Sequence, residues 1–277
     1  MKITLQSTRE ILIVVVLGLI SLSLLIGGGI GLSWYENQQP ASCNVADITL
    51  YGTLVYYPSE STGAATSATG DGSLDQTAAE DIRHDIEAAD SDPSVKAVLL
   101  QIDSPGGDPV AGEDVANALQ HASKPTVALV ADEGTSAAYW AATGAQTIFA
   151  SANSSLADIG VTQSYLQDTE RNDENGLQFI SLTAGKYKDM GNPDAPLTPE
   201  EKTLFERDLN ITDQNFIAQV AENRGLSVAS VTALADGSSM LGKMALQNGL
   251  IDKIGNIYDV ESYLKDKIGS DVALCEQ

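Results

Sequence analysis

Residues 95–107 read Val-Lys-Ala-Val-Leu-Leu-Gln-Ile-Asp-Ser-Pro-Gly-Gly, and this stretch decides the fold. From Val95 to Ile102 it is apolar almost throughout, without the alternation of a strand that has one wet face. It therefore reads as a strand covered on both faces, the kind found in parallel sheets. The strand runs straight into Ser104-Pro105-Gly106-Gly107, where paired glycines permit positive φ or let backbone amides approach a ligand closely. The same four residues also read as a plain tight turn.

Working outward, Asp47–Val55 reads as a first strand, and a Ser/Thr/Ala/Gly stretch from Ser59 to Ser73, with no periodic apolar face, reads as a mobile loop. Thr77-Ala78-Ala79-Glu80 has capping-box spacing, with Ile82, Ile86 and Ala89 following at helical intervals. Beyond the glycines come a helix carrying Val115, Leu119 and Ala122, a stop at Pro125, a strand at Thr126–Val130, and a further helix opened by Gly134-Thr135-Ser136. Thr147–Ala150 and Leu177–Thr183 are additional strand candidates. Thr198-Pro199-Glu200-Glu201 starts a long helix expected to turn Phe205, Leu209, Thr212 and Phe216 toward the core. Strand, turn and helix alternate without internal repeat, which predicts an α/β domain of parallel βαβ units.

The N-terminal part is of another kind. No charged residue occurs from Ile11 to Tyr35, a run longer than the roughly 20 residues that cross a bilayer. It ends in Ser33-Trp34-Tyr35-Glu36, an interfacial aromatic pattern rather than a small-residue cleavage site. Lys2 and Arg9 precede the run and no base follows it before Arg83, so the positive-inside rule predicts a cytoplasmic head (1–10), a single-pass anchor in the lipid bilayer (11–35), a tether (36–46) and an extracytoplasmic domain (47–277). The glycine run Gly27-Gly28-Gly29 lies inside the span and reads as helix packing rather than a nucleotide loop. The chain of 277 residues has a formal net charge of −23, with 38 acidic against 15 basic residues, which argues against nucleic acid as a partner. The acidity reads as solubility or as a surface adapted to high salt. The two cysteines, Cys43 and Cys275, cannot form a metal cluster; outside the cytoplasm they can pair or remain thiols.

For chemistry, loops at the carboxyl ends of parallel strands are the first place to look. Ser136 starts a small-residue helix, where the Ala137 amide has no intrahelical acceptor. That amide and one from Gly107 can converge on a carbonyl oxygen as an oxyanion hole, although a serine at a helix start is also an ordinary cap. The only histidines, His84 and His121, sit at polar helix positions, so a Ser-His-Asp triad has little support. A lysine serves instead if burial lowers its pKa, and Gly185-Lys186-Tyr187-Lys188-Asp189 supplies two. No Walker motif, zinc spacing or dinucleotide fingerprint occurs, so hydrolysis here should need no ATP, metal or other cofactor.

These pieces in this order resemble the signal peptide peptidase A family of serine peptidases, which share a core with the Clp protease subunit and the crotonases. The resemblance rests on Asp92-Pro93-Ser94-Val95-Lys96-Ala97-Val98 leading into Ser104-Pro105-Gly106-Gly107, and then Ser136 before Tyr139. It continues through Ile159-Gly160-Val161, Gly185, Tyr187-Lys188-Asp189-Met190-Gly191, Gly242, Ala245 and Gly249-Leu250-Ile251-Asp252. It implies a Clp protease/crotonase-like fold, Ser136 as nucleophile, Lys188 as general base, and the amides of Gly107 and Ala137 as oxyanion donors. It further implies ring-like homo-oligomers and peptide substrates such as spent signal peptides, membrane-derived or unfolded peptides; the Ala-rich surroundings of Ser136 suit small or apolar side chains. Two departures stand out: Ala137-Ala138 replace glycines common in the family, and Asp158 stands where members commonly carry a serine that orients the lysine. The competing expectations are an inactive membrane-tethered scaffold of the same fold, and a crotonase-like acyl-CoA enzyme, which an external location disfavours.

Overall fold

The computed structural model describes residues 43–57 and 76–276. The predicted head and anchor, most of the tether, and the Ser59–Ser73 loop lie outside them. Among the described residues no helix is long and apolar enough to cross a membrane.

The backbone of the fold is a parallel array in the order β2-β1-β3-β4-β5-β8. Its strands are β1 (Val45–Val55), β2 (Gln76–Ala78), β3 (Ala97–Gly107), β4 (Thr126–Thr135), β5 (Thr147–Ala150) and β8 (Lys253–Ile254). Between them run α1 (Ala79–Ser91), α2 (Pro109–His121) and α3 (Ser136–Thr143). Alternate residues of the central strands reach two different cores. Val98, Leu100, Ile102, Ala128 and Val130 pack under α1, α2 and α3, whereas Ala97, Leu99, Val127 and Leu129 pack with Phe149 against Val260 and Leu264 of α8 (Ile257–Ile268). Burial on both sides is why the β3 sequence shows no alternation. This mixed α/β arrangement with a parallel-rich sheet fits the Clp protease/crotonase-like core.

Two short strands matter for the site. β4 gives Val127–Val130 to β5, then Glu133–Thr135 to β6 (Ser155–Ala157), which in turn pairs antiparallel with β7 (Ser239–Leu241). The carboxyl end of β4 thus has its own support, separate from that of the strand's first half. A C-terminal strand, β9 (Leu274–Glu276), runs beside the start of β1.

Several local expectations are corrected. β1 begins at Val45, so the last tether residues, Val45 and Ala46, are fully buried strand. Thr77 is not a helix cap: its hydroxyl donates to the Tyr51 carbonyl at 2.6 Å and accepts from the Tyr51 amide at 3.1 Å, which fixes it in β2, and α1 starts behind Ala78 without a side-chain cap. Leu177–Thr183 forms no strand; it lies in an exposed segment where no sheet edge offers the pairing that an extended apolar run needs.

The long helix, α5 (Pro199–Arg224), has the expected start, with the Thr198–Glu201 capping box formed in both directions. Of its predicted core residues only Phe216 is buried; Phe205 lies against Gly191 and Leu209 faces a cavity. The helix core contact is confined to its last half, through Phe216, Ile217, Val220 and Ala221. Both cysteines, Cys43 and Cys275, are disulfide-bonded.

Candidate active site

The carboxyl end of β4 is held on both edges, with Gly134 opposite Ser104 of β3 and Leu156 of β6. The chain then breaks from extended (Thr135 φ −113°, ψ 161°) to left-handed backbone at Ser136, φ 52°. An L-residue in that region is disfavoured by about 1–2 kcal/mol. The conformation is held because all of Ala137–Thr143 is buried behind it. The register Thr135↔Ala157 brings a second such break alongside, Ala157 at φ 72° and Asp158 at φ 52°. These three are the non-glycine residues of positive φ among the described residues, and they meet at one place. Backbone strain gathered at one point is characteristic of functional sites.

The glycine loop closes onto this break. A Cβ placed on Gly106 (φ 95°) would lie 2.8 Å from the Ala137 nitrogen and 2.8 Å from Ser136 Cβ, so only glycine allows the loop to lie against the first turn of α3. The Gly106 amide is already used, donating to Ser104 Oγ at 3.1 Å. Asp108 N–H donates to the Leu54 carbonyl at 2.9 Å; since amides alternate sides along an extended chain, that of Gly107 is directed away from β1. Gly107 lines the same cavity as Ser136, and Ala137 follows Ser136 in the first turn of α3.

Ser136, Gly107 and Asp158 share one cavity of about 520 Å³. Its other walls include Val161, Leu209, Asn210, Asp213, Ala235 and Asp236. Ala137 and Ala138 are buried beneath it, so the small side chains expected to shape the pocket do not line it. Carboxylates do. Burial, with Glu133 adding to it, raises Asp158 above the ordinary carboxylate range; burial alone raises Asp213. Asp236 is lowered by the hydroxyl and amide of Ser238, which both donate to it. Asp213 and Asp236 were not singled out in the sequence. They come from α5 and from the turn after α6 (Val228–Thr232), and only the shared helical face of Leu209 and Asp213 hinted at one of them.

Among the described residues no lysine or histidine lines this cavity. Both histidines are exposed on α1 and α2. Lys186 is committed elsewhere: its ammonium donates to both Glu200 oxygens at 2.7 Å, and that bond, with the Tyr187 hydroxyl adding to it, raises it above the usual lysine range. The shift is opposite to what a base requires. Lys188 is exposed, with no side-chain hydrogen bond or ion pair among the described residues, and the structure does not place it beside Ser136 or Asp158. From Gly160 to Asn215 no residue is buried, and Leu166, Leu177, Ile180 and Leu182 stand open to solvent, Leu182 at 94%.

A serine on strained backbone at a strand-to-helix junction, with a glycine loop packed against its helix, is an arrangement used by enzymes that transfer acyl groups through a serine. The family model described as Peptidase family S49 matches residues 118–271, and the chain belongs to that family. This bears out the resemblance to signal peptide peptidase A. The chain is 35% identical over 195 residues to a Methanocaldococcus jannaschii protein named as a protease, covering 69% of this chain and 62% of that one. It is 29% identical over 192 residues to the chloroplastic serine protease SPPA of Arabidopsis thaliana, covering 68% of this chain and 28% of the plant protein. With protease 4 of Haemophilus influenzae it shares 30% over 178 residues, 62% of this chain and 28% of that one. The chain thus spans less than two thirds of the length of each.

Proposed function

We propose that this chain is a serine endopeptidase of the signal peptide peptidase A kind, held to the membrane through residues 11–35, with its catalytic domain outside the cytoplasm. The observation that carries the reading is the strained Ser136 with the Gly106–Gly107 loop packed on its helix. Ser136 attacks the scissile carbonyl, a neutral Lys188 amine accepts the hydroxyl proton, and the Gly107 and Ala137 amides hold the resulting oxyanion. The proton then passes to the leaving amine, and water hydrolyses the acyl-enzyme by the same route. Signal-peptide remnants and other membrane-derived or unfolded peptides are the substrates. The disulfide-bonded state of Cys43 and Cys275 supports an oxidising location.

The absence of a lysine from the cavity lining among the described residues supports a base supplied by a second copy. Lys188 lies in the segment without buried residues, whose exposed leucines and isoleucine each gain about 1.5–3 kcal/mol when fully covered. A second copy supplies that cover in a ring-like homo-oligomer, and the same contact brings Lys188 to a neighbour's Ser136.

Reaction of the full chain with a fluorophosphonate is the direct test: one label per chain is expected, on Ser136, and none in Ser136→Ala. Absence of labelling in the folded protein favours the alternative, an inactive scaffold of the same fold. The cavity carboxylates also set a pH dependence. A carboxylate disfavours the neutral form of any amine brought close to it. Activity is expected to rise through alkaline pH, and Asp158→Ser should move the rising limb of kcat/KM to lower pH by about 1 unit. A limb that stays put or moves up, with activity retained, excludes Asp158 as a charge facing the base.

A further inference from the structure

We infer that Ser104 is the positioning residue that sets the oxyanion hole, acting through a single hydroxyl that ties the glycine loop to a bulge in β1. The inference rests on Ser136 being the nucleophile but concerns a group that touches neither it nor the substrate.

Ser104 is only 1% exposed, a polar side chain in a strand whose neighbours are core. Its Oγ donates to the Gly52 carbonyl at 2.6 Å and accepts from the Gly106 amide at 3.1 Å. Both partners need it. Gly52 (φ 69°) sits where the register between β1 and β3 slips between Tyr51 and Thr53, so the strand ladder is interrupted there. Gly106 is beyond the last residue of β3 that pairs with β4. The hydroxyl therefore connects two irregularities, one in each strand, and its lone pair fixes the direction of the Gly106 amide. Fixing that peptide fixes the next one, because Gly106 lies against Ser136 Cβ and the Ala137 nitrogen and leaves the chain no other path. Gly107 N–H is directed by this chain of constraints, and its distance to the developing oxyanion is what an oxyanion hole depends on.

Other buried hydroxyls among the described residues are also used in both directions, among them that of Ser154 and that of Thr143. Thr143 Oγ1 donates to the Trp140 carbonyl at 2.6 Å and accepts from Asn223 Nδ2 at 2.9 Å. Thr143 ends α3 and is not part of the cavity lining. It provides a control that separates the loss of a buried hydroxyl from the loss of this particular one.

The test uses the full chain and a fluorophosphonate probe. In phosphonylation the Ser136 oxygen bonds to phosphorus, fluoride leaves, the hydroxyl proton passes to the base, and the phosphoryl oxygen takes the oxyanion position. Removing one oxyanion donor costs about 10²–10³ in rate, so a displaced donor in Ser104→Ala should lower the second-order labelling rate by at least about 10-fold. Ser104→Thr keeps the hydroxyl and should label within about 3-fold of wild type. Thr143→Val should lower the thermal midpoint comparably to Ser104→Ala and leave the labelling rate nearly unchanged. If Ser104→Ala does not fold, Ser104→Cys, of similar size but with a weak donor and acceptor, should fold and label slowly. Wild-type labelling with equal rates in Ser104→Ala or Ser104→Cys overturns the inference, as does a loss in Thr143→Val as large as that in the Ser104 variants. An unlabelled wild type instead removes Ser136 as nucleophile, and the inference goes with it.

Discussion

Lys188→Met and Ser136→Ala are each expected to lower peptide hydrolysis by about four orders of magnitude, and a mixture of the two variants is expected to regain activity. The losses follow from chemistry: a serine hydroxyl without a base is a poor nucleophile, and an amine without the hydroxyl has nothing to activate. The recovery follows from placement. Ser136 lies in a cavity that no lysine among the described residues lines, while Lys188 stands exposed in the stretch from Gly160 to Asn215 that buries nothing. If the base crosses between copies, one variant's intact Ser136 meets the other's intact Lys188. Random reassembly of equal amounts then restores roughly a quarter of the sites. The measurement is hydrolysis of a fluorogenic peptide before and after the mixed variants are dissociated and reassembled. Lys186→Met should remain close to wild type, since that ammonium is held by Glu200. Complete inactivity of every mixture would place the base within its own chain, and loss in Lys186→Met with full activity in Lys188→Met would transfer the role to the other lysine.

The sequence was most legible where one physical cause dominated. The β3 run Ala97–Ile102 is apolar without alternation because both faces of the sheet are covered, and that is a strong signal at any position in a chain. The start of α5 was equally plain, because Thr198, Pro199 and Glu201 satisfy a helix end without help from the rest of the fold. Thr77 misled for a related reason: a hydroxyl three residues before a glutamate suits a cap, but the Tyr51 backbone offered it two bonds in the sheet. Leu177–Thr183 has the composition of a strand, yet a strand is defined by its partner, which composition does not report. Leu209 fits the helical stripe of Phe216, but α5 outruns the core and turns it to the cavity instead.

The site shows the same division. Ser136, Gly107 and Asp158 were found through the order of motifs, and they share a cavity. Asp213 and Asp236 were not found, since each is an unremarkable surface acid until the fold brings α5 and the turn after α6 across the end of β6. The left-handed backbone at Ser136, Ala157 and Asp158 has no sequence signature of its own, because none of the three is the glycine that normally marks it.

Gly106→Ala is expected to lower the fluorophosphonate labelling rate and kcat by at least about 100-fold while most of the fold survives. The methyl group would enter at 2.8 Å from the Ala137 nitrogen, the Thr135 carbonyl oxygen and Ser136 Cβ, closer than such atoms approach. The backbone at φ 95° is also one that alanine adopts only under strain. The two strands cannot yield equally. β3 is held through Ala97–Ile102 by pairing on both edges and by two cores, and Ser136 is backed by the buried helix Ala137–Thr143. What can move is the loop itself, which carries the Gly107 amide outward from the cavity and breaks the bond from the Gly106 amide to Ser104. Loss of transition-state binding with little change in substrate affinity should therefore appear mainly in kcat rather than KM. Gly107→Ala makes a stricter comparison, because its methyl would lie 2.0 Å from the Leu54 carbonyl oxygen, within the β1–β3 ladder. That variant should lose the fold itself, read as a collapse of the thermal transition. Equal stability and equal activity in Gly106→Ala and wild type would mean that the loop does not define the oxyanion hole, and the donors would then have to be sought elsewhere around Ser136.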